Sequence, residues 1–460
     1  MDSDAHGRLQ RSLGLWPALT VVIGTIIGSG IFLVPSTMVK AVGSPWMVFV
    51  VWIFGGFLTL FGALSYAELA AAMPESGGEF VYLSQAYGPI FGFMYGWSQT
   101  VVGKCASIAA IGAALIIYLA DFFPSLDGVW LHTSWPIGPG GSAFEVRYGQ
   151  LAAMGFILAL TAVNFAGTKI GGAVQVAGTF LKIALIGVIV VLGLASHGSP
   201  ANFDVAVPAV PGGLAGFFSA LVAALWAYDG WNNGPMIGAE IQRPEKNLPR
   251  ALIGGTLVVI ATYLLTNLAY FYVLGGAGVA ASDRVASSMM RAALGPSGGS
   301  IVTVAACISM FASLNGMILS GARVPFAMAR SGQFFSWART VHPKFGTPSG
   351  GLLFLGLFSS ILLLSGRFDD LIRMVIFSEW IFYAMTAFAV VVLRRRRPDM
   401  PRPYRVHAYP AVPLLFVAVA AGLLCSTLWA YPRESGIGLG LIIAGLPFYF
   451  QWRKAGRQNV

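Results

Sequence analysis

The chain has 460 residues, of which 57% are hydrophobic and only 10% charged, with a formal net charge of +10. A soluble domain carries about 25% charged residues and disorder needs low hydrophobicity, so a cytosolic globular protein and a disordered chain are both excluded. The chain belongs in a membrane.

Arg8 and Arg11 precede the first apolar run, which lacks the short core and small-residue cleavage site of a signal peptide, so this span is expected to be retained. Twelve segments are long enough to cross roughly 30 Å of hydrocarbon at about 1.5 Å per residue. They are predicted at 13–40, 46–73, 91–121, 148–166, 173–196, 213–240, 249–275, 298–329, 351–366, 370–393, 411–430 and 436–452. The segment Pro74 to Gly88 reads as a loop with a short interfacial helix, and the longest loops are 122–147 and 330–350. With the N-terminus in the cytoplasm, most Lys and Arg fall on cytoplasmic loops. Only Lys40, Arg147, Arg284, Arg291, Arg367, Arg373 and Arg433 fall outside, while Lys104 and Lys182 lie within spans. That bias predicts a multi-pass protein of the cell inner membrane with both termini cytoplasmic. The positive charge is therefore a topology signal and implies no nucleic-acid partner.

Two spans are interrupted. The first holds Gly24-Thr25-Ile26-Ile27-Gly28-Ser29-Gly30 at mid-membrane, and the sixth holds Tyr228-Asp229-Gly230-Trp231-Asn232-Asn233-Gly234-Pro235. Irregular backbone at that depth is tolerated only within protein or around a cavity. Paired interruptions in corresponding halves point to a transporter site between inverted repeats. At Gly28-Ser29-Gly30 the freed N–H groups of a new half-helix attract an anion such as a carboxylate. Unwound carbonyls in the sixth span accept from an ammonium, and the two together suit the zwitterion of an α-amino acid. Taken alone, Gly24 and Gly28 also satisfy a close-packing motif.

These motifs resemble the amino acid–polyamine–organocation superfamily, and within it the bacterial relatives of the L-type amino-acid transporters, over about residues 10 to 430. The resemblance rests on Gly24 to Phe32, Ser65-Tyr66-Ala67-Glu68-Leu69, Pro74-Glu75-Ser76-Gly77-Gly78, Trp226 to Asn233, Glu240-Ile241 with Pro244, Asn247-Leu248-Pro249-Arg250, and Ser313-Leu314-Asn315-Gly316. It implies an all-α LeuT-like fold of five plus five inverted spans, the repeats covering 13–196 and 213–393. Two extra helices follow at 411–452, with short tails at 1–12 and 453–460. By resemblance Ser29 and Gly30, beside Gly28, bind the substrate carboxylate through backbone N–H groups. The carbonyls of Ile26 and Trp226 take the amine, Trp226 gates the outside path, and Asn232 sits beside the site. Asp229 departs from the glycine usual in animal members and is compatible with a cationic substrate or with pairing to a helix end or a lysine. Eukaryotic members hold an ancillary subunit through a cysteine before span four. Loop 122–147 has none, so no disulfide-linked subunit is expected.

Charges inside the bilayer are functional candidates by default. By resemblance Lys182 stands where related folds bind sodium, between the first break and Ser313 of span eight. It is either a fixed cation or a group that releases a proton during the cycle. Lys104 faces the substrate vestibule or snorkels outward. Glu68 is expected to satisfy backbone or serine donors, and Glu240 to cap or pair at the cytoplasmic gate. Glu379 is either a paired or neutral carboxyl or a proton relay. Trp226, Tyr228 and Trp231 gather at the second break for packing or for gating. Asn315 bonds across helices or supports Lys182.

The five histidines show no metal-ligand spacing within a span, and no Walker A motif is present. Cys105, Cys307 and Cys425 lie in apolar runs and form no CxxC. Gly295-Pro296-Ser297-Gly298-Gly299 matches a nucleophile-elbow pattern, but it lies on an outside loop, whereas an elbow needs a strand before it and a helix after it. The reading is therefore a cofactor-free, non-enzymatic secondary transporter of L-amino acids. It works by alternating access, without sodium and by exchange. A proton-coupled symporter using Lys182 is the alternative, and a membrane sensor the alternative of another class.

Overall fold

The computed structural model describes residues 9–133, 144–364, 368–430 and 432–458. His6, Arg8, Arg367 and the middle of loop 122–147 lie outside the described residues. The chain is a bundle of helices: α1 (Leu15–Ile26), α2 (Gly30–Val42), α3 (Pro45–Ala72), α4 (Glu79–Tyr87), α5 (Pro89–Trp97) and, after a π-helical turn at Ser98–Gly103, α6 (Lys104–Leu119). There follow α7 (Tyr148–Phe165), α8 (Thr168–Leu194), α9 (Gly213–Ala227), α10 (Asn233–Met236), α11 (Pro244–Ala280), α12 (Val285–Leu294), α13 (Pro296–Gly321) and α14 (Arg323–Arg330). The last are α15 (Ser349–Leu364), α16 (Phe368–Arg396), α17 (Ala411–Ala430), α18 (Pro432–Ile443) and α19 (Leu446–Gln458).

Helix starts follow simple chemistry. Pro45, Pro89, Pro244 and Pro296 each open a helix, where the N–H that proline lacks has no intrahelical partner anyway. Gly43 ends α2 in the left-handed region at φ 74°, which a residue without Cβ adopts freely.

Among the described residues nine helices are long and apolar enough to cross a membrane, and α1 with α2, bent by 41°, makes a tenth. The chain is a multi-pass membrane protein. Two further apolar helices are shorter. Helix α15 is described over 16 residues and α9 over 15, which at about 1.5 Å per residue is less than the hydrocarbon thickness. Helix α9 ends because the next residues leave helical geometry, with Gly230 at φ 112°.

The two interrupted segments lie side by side at the centre. Helix α2 packs on α9, α1 on α10, and α1 is flanked by α8, α11 and α13. Small residues allow this. A Cβ at Gly24 would fall 2.1 Å from Gln175 Nε2 on α8, so α1 approaches α8 at glycine distance.

Three features depart from the sequence reading. Helix α4 is not an interfacial surface helix, since Glu79, Phe80, Val81, Tyr82 and Leu83 are all buried. The 122–147 loop carries a short antiparallel pair, β1 (Val129–Thr133) and β2 (Phe144–Arg147). Glu68 accepts a backbone donor as expected but adds two ion pairs. It pairs with Arg394 (2.6 Å) and Arg402 (3.5 Å) and accepts the N–H of Val406, tying the end of α3 to the end of α16.

Candidate functional site

A cavity opens where the two breaks meet, lined by Thr25, Ile26, Gly28, Ser29 and Gly30 from the first break. Trp226, Ala227 and Asp229 line it from the second, with Ser107, Ala110 and Ile111 of α6, Met317 of α13 and Glu379 of α16. Helix α1 ends at Ile26 and α2 begins at Gly30, so three residues carry the break.

The breaks are held backbone to backbone. Thr25 Oγ1 donates to Gly230 O at 2.8 Å. Tyr263 OH lies 3.1 Å from Ile26 O and 2.8 Å from Ala227 O, bridging the ends of α1 and α9. A Cβ at Gly30 would stand 2.8 Å from Ala227 Cβ and 2.9 Å from its Cα, with the Trp226 ring 3.6 Å away. A Cβ at Gly230 would meet the Thr25 carbonyl at 2.8 Å. Only glycine fits either place without moving the other half-helix. Gly30→Ala is therefore expected to lower transport at least tenfold, while the purified protein stays monodisperse on size-exclusion chromatography.

Electrostatically the cavity has two ends. The first N–H groups of α2 find no helical acceptor and give the Ser29–Gly30 end positive character. The opposite character comes from Asp229, which accepts from Tyr383 OH at 2.7 Å, and from Glu379, 4% exposed. Ile26 O already accepts from Gly28 N–H and Tyr263 OH, and Trp226 O from the N–H groups of Tyr228 and Asp229. An ammonium at those carbonyls shares them with existing donors, and Asp229 is the nearby acceptor with spare lone pairs.

Asn232 does not face the cavity. It is fully buried, and its Nδ2 lies 3.2 Å from Glu79 Oε2. Glu79 also accepts from Tyr66 OH at 2.7 Å and from Tyr95 OH. Burial pushes its carboxyl up to about 7, against the hydrogen bonds of Tyr95 and Tyr66, the Lys104 charge and the Asn232 amide. Lys104 does not snorkel outward. It is buried at the start of α6, within electrostatic reach of Glu79 and Glu379.

Lys182 lies behind the first break. Its Nζ donates to Gly24 O (2.9 Å), Ile27 O (2.5 Å) and Ser313 Oγ (3.0 Å). Ser309 Oγ also donates to Ile27 O at 3.2 Å. Asn315 takes no part there. It bonds across helices to Asn164, to Gln175 and to Gly171 O. Glu240 pairs with Arg323 and accepts from Thr168. Trp231 packs away from the cavity on Tyr66 and Tyr383, and Tyr228 on Trp52 and Tyr263. Gly295 to Gly299 bridges α12 and α13, so a helix stands where an elbow requires a strand.

Two broken helices around a two-ended cavity in a membrane bundle define a carrier of small zwitterions. The family profile for amino acid permeases matches residues 13–449, and the chain belongs to that family, within the amino acid–polyamine–organocation superfamily. It is 36% identical to the serine/threonine exchanger SteT of Bacillus subtilis (strain 168), over 99% of both chains. It is 30% identical to the mouse (Mus musculus) b(0,+)-type amino acid transporter 1, over 96% of this chain and 88% of that one. It is 28% identical to the human (Homo sapiens) cystine/glutamate transporter, over 98% and 87%. Tyr263, Ser107, Met317 and Glu79 are site neighbours that sequence reasoning did not single out. Their residue types are ordinary for a span or loop, and only the fold brings them to the breaks.

Proposed function

We propose that this protein is a secondary active transporter of L-amino acids that exchanges one for another by alternating access across the cytoplasmic membrane. The observation that carries the reading is the cavity between two helix breaks, lined by Ser29 and Gly30 from one and by Trp226, Ala227 and Asp229 from the other. The substrate carboxylate sits at Ser29–Gly30, beside Gly28. Its ammonium sits by Ile26, Trp226 and Asp229, and Trp226 closes over it. The family relation supports five plus five inverted spans at 13–196 and 213–393, with two further helices at 411–452. The distribution of Lys and Arg supports cytoplasmic termini. The lack of cysteine in the described parts of loop 122–147 and in its sequence supports an assembly without a disulfide-linked subunit.

Exchange is favoured over a Lys182-driven proton symport by one feature. The three N–H donors of an ammonium match three acceptors, and deprotonation would forfeit one charge-assisted hydrogen bond and weaken the others. A fixed cation in that position also supports sodium independence, since the helix ends it neutralises need no further ion.

The test is uptake of labelled L-serine into proteoliposomes with and without internal unlabelled amino acid, at equal pH and under an inward proton gradient. Uptake is expected only with internal substrate, and to be unchanged when choline replaces sodium. Gradient-driven uptake into empty vesicles would overturn exchange in favour of symport. Saturable binding without flux would mark a sensor.

A further inference from the structure

The cavity lining holds two carboxylates, Asp229 and Glu379, and the amino-acid ammonium needs only one of them. Asp229 meets the zwitterion, and Glu379 joins the lining from α16. It is 4% exposed, and the hydrogen bond it receives, from Gln99 Nε2, is 3.3 Å long, weak for a buried carboxylate. Gln99 Oε1 is buried with no partner among the described residues. The groups within electrostatic reach of Glu379 are Asp229 from the second break, Glu79 from α4, Tyr95 from α5, Lys104 from α6 and Tyr383 on its own helix. Lys104 lies within reach of both Glu79 and Glu379. Two like charges in one dry cavity do not both stay ionised unless a cation joins them.

We propose that Glu379, with Asp229, reads the charge of the substrate side chain: it binds the ammonium or guanidinium of a cationic amino acid directly, and binds a proton when the side chain is neutral. The inference rests on the amino-acid-transport reading above. The proton balance is simple. Water on the open side gives a proton to a Glu379 carboxylate oxygen, the neutral acid crosses with the neutral substrate, and the O–H bond ionises back to water on the other side. A cationic substrate replaces that proton, and its side-chain ammonium forms an ion pair with the bare carboxylate. Neutral substrate plus proton and cationic substrate alone then carry the same charge. Exchanging one for the other moves a proton against the cation and is electrically silent.

The experiment uses the full chain in proteoliposomes loaded with unlabelled L-serine and a pH-sensitive dye, with valinomycin and potassium holding the potential at zero or displaced. Adding L-lysine outside is expected to raise the internal pH of wild-type vesicles at a rate the potential does not change, while adding L-serine leaves it flat. In Glu379→Gln the lysine-to-serine uptake ratio is expected to fall at least tenfold, serine uptake to lose its dependence on pH, and the dye signal to vanish. Glu379→Asp, which keeps the acid, should keep the signal. Glu79→Gln is the control for the other buried acid. Wild-type vesicles that exchange serine but exclude lysine would overturn the proposal, as would lysine exchange without an internal pH change. So would a Glu379→Gln protein with an unaltered ratio and pH profile, or a proton signal lost in Glu79→Gln and kept in Glu379→Gln. Vesicles that move no amino acid at all would sink the transport reading itself, and the subsite with it.

Discussion

Lys182→Met is expected to abolish exchange at every pH while leaving a membrane-inserted protein. Methionine matches the length of lysine closely enough to fill the space, so the loss is electrostatic. The ammonium supplies hydrogen bonds to Gly24 O and Ile27 O, carbonyls at the open end of α1, and to Ser313 Oγ. Each charge-assisted bond is worth about 1.5–3 kcal/mol, and a buried carbonyl left unpaired costs free energy in its own right. Ser313 Oγ, 2.8 Å from Gly24 O and 2.9 Å from Ile27 O, has one proton and serves one carbonyl at a time. The geometry of residues 27–29, which sets where the N–H groups of Ser29 and Gly30 point, would relax. Since about 1.4 kcal/mol is tenfold, a loss of at least tenfold in exchange is the modest estimate. Ser313→Ala removes one partner and keeps the charge, so it should reduce exchange by about three- to tenfold.

The pH profile decides what Lys182 does. A fixed cation predicts that Lys182→Met is dead throughout the pH range tested. A titrating one predicts residual exchange that has lost the Lys182-linked part of its pH dependence and keeps the part that Glu379 carries. Labelled-serine exchange in proteoliposomes between acid and alkaline pH separates them, with size-exclusion profiles confirming that the variant is folded.

Much of this site was legible in the sequence because membrane depth makes irregular residues conspicuous. Glycines and a serine amid a long apolar run, or Asp229 amid aromatics, cannot sit in lipid, so Ser29, Gly30 and Asp229 mark a cavity in the sequence itself. Lys182 was legible for the same reason, as the single charge in its span. The partners were harder to read. The Glu240–Arg323 pair is separated by 83 residues, and no local period links the two positions. Asn232 belongs to a motif, and the motif did not say that its amide turns to Glu79 instead of the cavity. Helix α4 read as a short interfacial helix because Pro74 to Gly78 precede it, yet its first residue is a buried anchor. The break in the sixth span was legible too, and α9 ends at Ala227, directly before Tyr228, because glycine, asparagine and proline cluster there.

The second large effect is expected at the buried pair that closes one end of the bundle. Arg323 Nε donates to Glu240 Oε2 at 2.7 Å and its Nη2 to Oε1 at 2.9 Å, a bidentate bond, and Thr168 Oγ1 adds a third at 2.7 Å. Arg323 is 0% and Glu240 1% exposed. Three elements meet here: the turn after α10, the start of α14 and the start of α8. The chain entering α1 is pinned beside them, with Leu13 N–H on Glu240 O at 2.9 Å. Removing one member strands the other charge in a dry site, which costs about 3–5 kcal/mol. Arg323→Ala and Glu240→Ala should each lower the melting temperature markedly and lower exchange with it.

The double variant Glu240→Leu with Arg323→Met separates packing from gating. Replacing both ions of a buried pair by apolar side chains is often neutral or stabilising, so its thermal stability should return close to that of the wild type. If alternating access requires this contact to open to water and close again, an apolar plug favours the closed form, because ions regain hydration on opening and leucine and methionine do not. Exchange is then expected to stay at least tenfold down in a protein that melts like the wild type. Recovery of exchange together with stability would make the pair a structural tie and place the gate elsewhere. Thermal melting and serine exchange on the same preparations of the wild type, both single variants and the double variant make that distinction.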